Sequence, residues 1–176
     1  MKRAELEHVV RAASSITNRD KFVIVGSQAI LGSFPDAPQE LTASNEADIY
    51  PLDAPAEADL IDGSIGERSP FHESFGYYAH GVSPETAVLP KNWQHRVISF
   101  QNENTRGAIA LCVSAIDLAV SKLAAGREKD LEFVRAMLRY QIVEPDAVRA
   151  LLSELNKERA ALVGQRLERC QRNAAL

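Results

Sequence analysis

The sequence predicts an α+β fold: a mixed sheet flanked by helices, followed by a helical C-terminal annex. Three observations carry that reading. Short apolar runs bounded by turn residues recur up to Val113, an amphipathic pattern precedes the first of them, and from Ala115 onward the apolar residues fall at helical spacing. With 176 residues, 45% of them apolar, the chain can bury the core of one domain, read here as residues 1–114 plus a helical region over 115–176.

Each element follows from its residues. Leu6, Val9, Val10, Ala13 and Ile16 recur at helical spacing, so residues 3–17 form an amphipathic helix. Phe22 to Val25, set between Asp20-Lys21 and Gly26, read as a buried strand. Ser27 is a favoured N-cap for a short helix at Gln28 to Leu31. Residues 32–44 carry Gly32, Pro35, Asp36, Pro38 and Ser44 and form a loop, and Glu46 to Tyr50 make the next strand. The stretch 51–70 is rich in Pro, Asp and Gly, with a short helix at Ala56 to Leu60; connections of that length are often functional, here as a lid. Strands are expected near Tyr77–Val82, Thr86–Leu89, Arg96–Phe100 and Ala108–Val113. In the annex, Leu131, Val134, Met137 and Leu138 form one apolar stripe, and Pro145 starts a further helix that carries Val148, Leu151, Leu152 and Leu155.

Composition narrows the function classes. A net charge of −4 gives no global drive towards nucleic acid. Lys157, Arg159, Arg166, Arg169 and Arg172 are a local basic candidate, but Glu154, Glu158 and Glu168 dilute it to a solvated helix face. Cys112 and Cys170 read as buried or incidental thiols, not a disulfide framework. No apolar run is long enough to span a bilayer and no N-terminal apolar core marks export, so the expectation is a cytoplasmic protein without a membrane partner.

Two segments carry chemistry. Gly26 can adopt backbone angles closed to other residues and admits a ligand close to the main chain, and a helix start after Ser27 would offer free N–H groups to a phosphate. On the strand at Glu46-Ala47-Asp48-Ile49-Tyr50, residues two apart leave one face about 7 Å apart along it, so Glu46 and Asp48 project together. Paired carboxylates repel unless a cation lies between them, and hard oxygen ligands suit Mg²⁺ or Mn²⁺. The plainer readings are an ordinary strand-to-helix turn and a solvated strand face. His72, His80 and His95 are scattered without metal-ligand spacing and read as structural or surface. Phe71, Phe75, Tyr77, Tyr78 and Trp93 read as core packing, with a base-stacking wall as the sharper alternative.

The order of apolar strand, Gly26-Ser27, helix, then the acid-x-acid strand of Glu46 and Asp48 resembles the nucleotidyltransferase superfamily that includes DNA polymerase beta and the minimal nucleotidyltransferases. The segment from Ile116 to Asp130, with Lys122 followed by Gly126-Arg127-Glu128-Lys129-Asp130, looks like nucleotidyltransferase-like proteins of the AbiEii toxin type. Ser69 to Tyr78 together with Leu89 to Trp93 looks like an uncharacterised bacterial branch of that group.

The resemblance implies a nucleotidyltransferase-like core over residues 1–114 with the helical region 115–176 packed on it. It implies Glu46 and Asp48 as ligands of Mg²⁺ or Mn²⁺, with Lys122 as a third catalytic group. Gly26, Ser27, Lys122, Arg127 and Asp130 would contact a nucleoside triphosphate. NMP would pass to a hydroxyl on an RNA end, a protein or a small molecule. The AbiEii likeness adds the toxin part of a toxin–antitoxin or phage-defence pair, with a cognate antitoxin-like partner. Two departures stand out. Glu46 occupies a place where Asp is commoner, and neither Arg96–Phe100 nor Ala108–Val113 supplies a third acid, leaving Asp62, Glu73, Asp117 and Asp130 as candidates. A catalytically inactive relative that binds a nucleotide or a protein partner is therefore the second reading, and a small interaction domain the third. Metal-dependent nucleotide binding, binding without turnover, and neither of these separate the three.

Overall fold

Phe22, Val23 and Ile24 are fully buried, which places their strand at the centre of the molecule. In the computed structural model, which describes residues 1–174, β1 (Lys21–Val25) has neighbours on both sides. The other strands are β2 (Glu46–Pro51), β3 (Tyr78–Gly81), β4 (Ile98–Phe100) and β5 (Ile109–Cys112), in the order β3-β2-β1-β5-β4. β1 runs antiparallel to β2 and parallel to β5, β2 runs parallel to β3, and β4 antiparallel to β5. The sheet is mixed, as expected. Apolar residues line both faces of β1 because helices cover both sides of a central strand.

Helix α1 (Arg3–Thr17) buries Leu6, Val9, Val10 and Ala13. A 3-10 turn at Ser27–Ala29 leads into the four-residue α2 (Ile30–Ser33). After β2 the chain forms α3 (Ala58–Ile65), which packs on α1 and β3 and buries Ala58, Ile61 and Ile65. The expectation of a lid over 51–70 is therefore corrected: Ala58, Ile61 and Ile65 repeat at helical spacing and commit the segment to the core. Helix α4 (Pro70–Phe75) begins at Ser69, whose hydroxyl accepts the His72 N–H.

Thr86–Leu89 is not a strand. Pro84–Thr86 is a 3-10 turn, and the prolines at 84 and 90 leave too short a stretch between them for a ladder. Likewise Trp93–Arg96 forms a 3-10 turn, and β4 begins only at Ile98.

The annex consists of α5 (Ala115–Ala125), α6 (Glu128–Arg139), α7 (Pro145–Ala150) and α8 (Lys157–Ala174). Ser114 caps α5 by accepting the Asp117 N–H, and Gly126, at φ +68°, ends it. Leu118, Val120, Leu131, Val134, Met137, Val163 and Leu167 join the same buried cluster as the strands. Arg96 locks the two regions together, donating from Nη2 to Asp117 Oδ1 at 2.7 Å and from Nη1 to Glu154 Oε1 at 3.1 Å. The basic tail is not simply solvated either, since Arg166 Nη1 donates to the carbonyls of Leu123 and Ala124 at the end of α5. Both thiols are free and buried, and burial pushes Cys112 up to about 12. No described helix is long and apolar enough to cross a membrane.

Candidate functional site

The site is built around the exit of β1. Gly26 has φ +66° and ψ −169°, a region in which glycine is essentially alone. A Cβ placed there would lie 2.9 Å from Asp48 Cγ and closer still to Oδ2, so only glycine lets the Asp48 carboxylate reach across β1. Gly26, not Ser27, occupies the cap position, and Ser27 is the first residue of the 3-10 turn. Sequence propensity favours Ser as a cap, but here the backbone turn itself uses the preceding glycine.

β2 supplies the acids. Register places Asp48 opposite Val25 on β1 and opposite His80 on β3, with Glu46 opposite Tyr78. Tyr78 donates its hydroxyl to Glu46 Oε2 at 2.7 Å. His80 Nδ1 lies 3.0 Å from Asp48 Oδ1 and 3.6 Å from Glu46 Oε1. One ligand atom from each of Glu46, Asp48 and His80 therefore falls within 4.8 Å of the others. Burial, and then the charge of Glu46, push the Asp48 carboxyl up to about 6, with His80 pulling the other way. Burial and Glu46 also raise the Tyr78 phenol, so it stays a proton donor to that carboxylate.

Neither sequence spacing nor composition marked His80 as a partner of the acids, because 32 residues separate it from Asp48. The signal that could have found it is the alternation of Tyr78 and His80 on their own strand, which mirrors Glu46 and Asp48 on β2. None of the four acids considered as a third carboxylate joins the pair. Asp62 accepts the Gly81 N–H, Glu73 is exposed on α4, Asp117 pairs with Arg96, and Asp130 pairs with cations.

Those cations arrive from the annex. Asp130 is fully buried, receiving Lys122 Nζ at 3.2 Å on Oδ1 and Arg127 Nε at 2.6 Å on Oδ2. Burial alone would raise the Asp130 carboxyl, but Arg127 and Lys122 outweigh it and hold the group below its ordinary value. The Arg127 side chain remains 62% exposed, and the charges of Asp48 and Glu46 add to those holding its proton. A cavity of about 80 Å³ is lined by Val25, Gly26, Asp48, Lys122, Arg127 and Asp130, among others. Glu46 and Ser27 stand outside that lining. A larger cavity of about 540 Å³ adjoins it through Ala87, with Tyr50, Glu85, Trp93, Gln94 and Arg159 in its walls.

The aromatic residues divide. Phe71, Phe75 and Tyr77 pack with His8 at ring-centroid separations of 4.6 to 6.0 Å, which is packing. Tyr78 serves Glu46, and Trp93 faces the larger cavity.

A protein family described as nucleotidyltransferase of unknown function (DUF6036) matches residues 4–170. The chain belongs to this family. No curated protein and no solved structure matches it. The match to this nucleotidyltransferase family spans the sheet with Asp48 and the annex with Lys122 and Arg127 alike. Membership implies a nucleoside triphosphate as substrate.

Proposed function

We propose that this nucleotidyltransferase is metal-dependent and moves NMP from a nucleoside triphosphate to an acceptor hydroxyl. One observation carries the reading: Asp48, whose carboxylate converges with Glu46 and His80, faces Lys122 and Arg127 from the annex across a single small cavity. The donors fit a hard divalent cation, since Asp48 is a largely buried carboxylate whose charge is made costly by its neighbour Glu46.

Glu46 and Asp48 would hold Mg²⁺ or Mn²⁺, which supplies charge neutralisation and alignment of the triphosphate with the acceptor. The chain's own groups do the rest. Gly26 brings backbone close to the phosphates without a side chain in the way. Lys122 and Arg127 present two positive charges of which Asp130 neutralises one, leaving a net attraction for the triphosphate. The adjoining cavity takes the nucleoside or the acceptor against Trp93 and Arg159. The acceptor belongs to an RNA end, a protein or a small molecule, and the AbiEii-type likeness extends the proposal to a toxin held in check by an antitoxin-like partner.

The test is a thermal-shift screen of the four ribonucleoside triphosphates, with and without Mg²⁺ or Mn²⁺, on wild type and Asp48→Ala. Binding at a hundredfold excess over Kd stabilises by about 2.7 kcal/mol, and the shift should need metal and vanish in the variant. No shift from any nucleotide in a folded sample sinks the reading. A second reading, nucleotide binding without turnover, is favoured by the lack of a third carboxylate on β4 or β5. It is distinguished by a metal-dependent shift with no transfer of label from α-labelled nucleotide.

A further inference from the structure

We infer that His80 is an inner ligand of the metal, joining Glu46 and Asp48 as a third donor, and that it tilts the site towards Mn²⁺ over Mg²⁺. The inference rests on the proposed role of Glu46 and Asp48 and adds a nitrogen donor to it.

The geometry begins with register. Parallel pairing of β2 with β3 sets Glu46 against Tyr78 and Asp48 against His80, so two carboxylates, a phenol and an imidazole share one face. The four carboxylate oxygens are not equivalent. Tyr78 occupies Glu46 Oε2, which turns Oε1 towards the imidazole. Glu46 Oε1 and Asp48 Oδ1 then converge on the same atom, His80 Nδ1, at 3.6 and 3.0 Å. Neighbouring ligands around an octahedral cation with bonds near 2.1 Å lie about 3.0 Å apart. The Asp48–His80 separation matches that spacing, and the extra methylene of Glu46 supplies the reach to close the longer one.

An ion pair alone accounts poorly for this arrangement. The His80 side chain is 48% exposed, and an exposed pair of this kind contributes little to stability. It also leaves one imidazole between two carboxylates. A neutral imidazole that joins both acids in binding a divalent cation balances the corner: two negative charges meet two positive ones. Tyr78 then acts as the outer group that fixes a ligand's orientation.

A nitrogen donor changes which metal is favoured. Mg²⁺ demands near-ideal oxygen coordination, whereas Mn²⁺, though also oxygen-seeking, belongs to the transition series that accepts nitrogen donors, so Mn²⁺ should bind several-fold tighter than Mg²⁺. Replacing His80 should erase most of that difference.

The experiment is pulsed electron paramagnetic resonance on the full chain loaded with MnCl₂, prepared with natural-abundance and with ¹⁵N-labelled histidine. Thermal shifts in Mn²⁺ and Mg²⁺ are run beside it on wild type, His80→Gln and His80→Ala. The expected result is a histidine nitrogen coupled to Mn²⁺ in wild type and lost in both variants, with the Mn²⁺ preference lost as well. Bound Mn²⁺ without histidine coupling overturns the inference and leaves Glu46 and Asp48 as the ligands. Coupling that survives in the variants overturns it too, since another of the four histidines would then be the source. If Mn²⁺ does not bind even with nucleotide present, the metal reading falls together with this one.

Discussion

Asp48 reaches past Gly26 so closely that any side chain at position 26 would overlap its carboxylate. The acid that defines the site and the glycine that ends β1 are thus one structural unit. Gly26→Ala faces that overlap and a backbone conformation at φ +66°, ψ −169° that alanine rarely adopts. The expected cost is about 3 kcal/mol, read as a lower midpoint in urea, and nucleotide-dependent stabilisation should be lost even where the variant folds.

Asp48→Asn should separate stability from function. The Asp48 carboxyl, ordinarily near 3.8, is pushed up to about 6 by burial and by Glu46. A raised folded value means that the folded chain holds a proton the unfolded chain has already released, so the favourable contribution is present below pH 4 and lost as pH rises through 6. At pH 7 the charged group therefore costs about 3 kcal/mol. Asp48→Asn should melt higher than wild type at pH 7 in the absence of metal, with the advantage shrinking towards pH 4. Adding Mn²⁺ should reverse the order by stabilising wild type alone. A variant that melts lower than metal-free wild type at pH 7 would contradict this account.

The Asp130 carboxylate has the opposite sign. Lys122 and Arg127 hold it below the ordinary carboxylate range despite its burial, so its contribution is present above that range and lost as pH falls through the folded value. Asp130→Asn keeps the volume but leaves Lys122 Nζ and Arg127 Nε without their charged partner. The expected loss is on the order of 3 kcal/mol at neutral pH, diminishing in acid, and measurable as a narrowing gap between the two unfolding curves. Nucleotide affinity should fall as well, because the two cations lose the group that aims them.

Arg96 joins the sheet side to the annex through buried Asp117 on α5 and through Glu154 between α7 and α8. Arg96→Ala leaves the Asp117 carboxylate with Ser114 as its remaining side-chain partner, at a cost of about 3 kcal/mol. Arg96→Lys retains the charge but not the forked geometry that serves two carboxylates at once, and should recover only part of the loss. Equal stability of the two variants would show that charge alone matters there.

Much of this architecture was legible in the residues. Phe22–Val25 announced a central strand through unbroken apolar character, and Ile61 and Ile65 escaped notice only because Pro, Asp and Gly around them resemble a loop. The acidic pair was legible because strand alternation is local. His80 was not, since its partnership is made by pairing of β2 with β3 across the sheet, and no local period encodes which strand lies next to which. Thr86–Leu89 failed as a strand for a related reason: β-rich residues need a neighbour to pair with, and the prolines on either side deny them one. The place of Asp130 beneath Lys122 and Arg127 depended on the break at Gly126, whose angle cannot be read from composition.

β3 lies at one end of the sheet and, among the described residues, is bonded to β2 and to no strand beyond it. Tyr78 and His80 therefore ride on an edge strand, paired on one side alone, while Asp48 sits on a strand paired on both sides and Gly26 follows another. Amide hydrogen exchange should be uneven across the site: fast at Tyr78 to Gly81, slow at Val25 and Asp48. Fraying of that edge would remove half of the corner while the phosphate side stays intact. Any cation held between the two strands would act as a cross-link, tying the stability of one edge of the sheet to the metal supply of its surroundings.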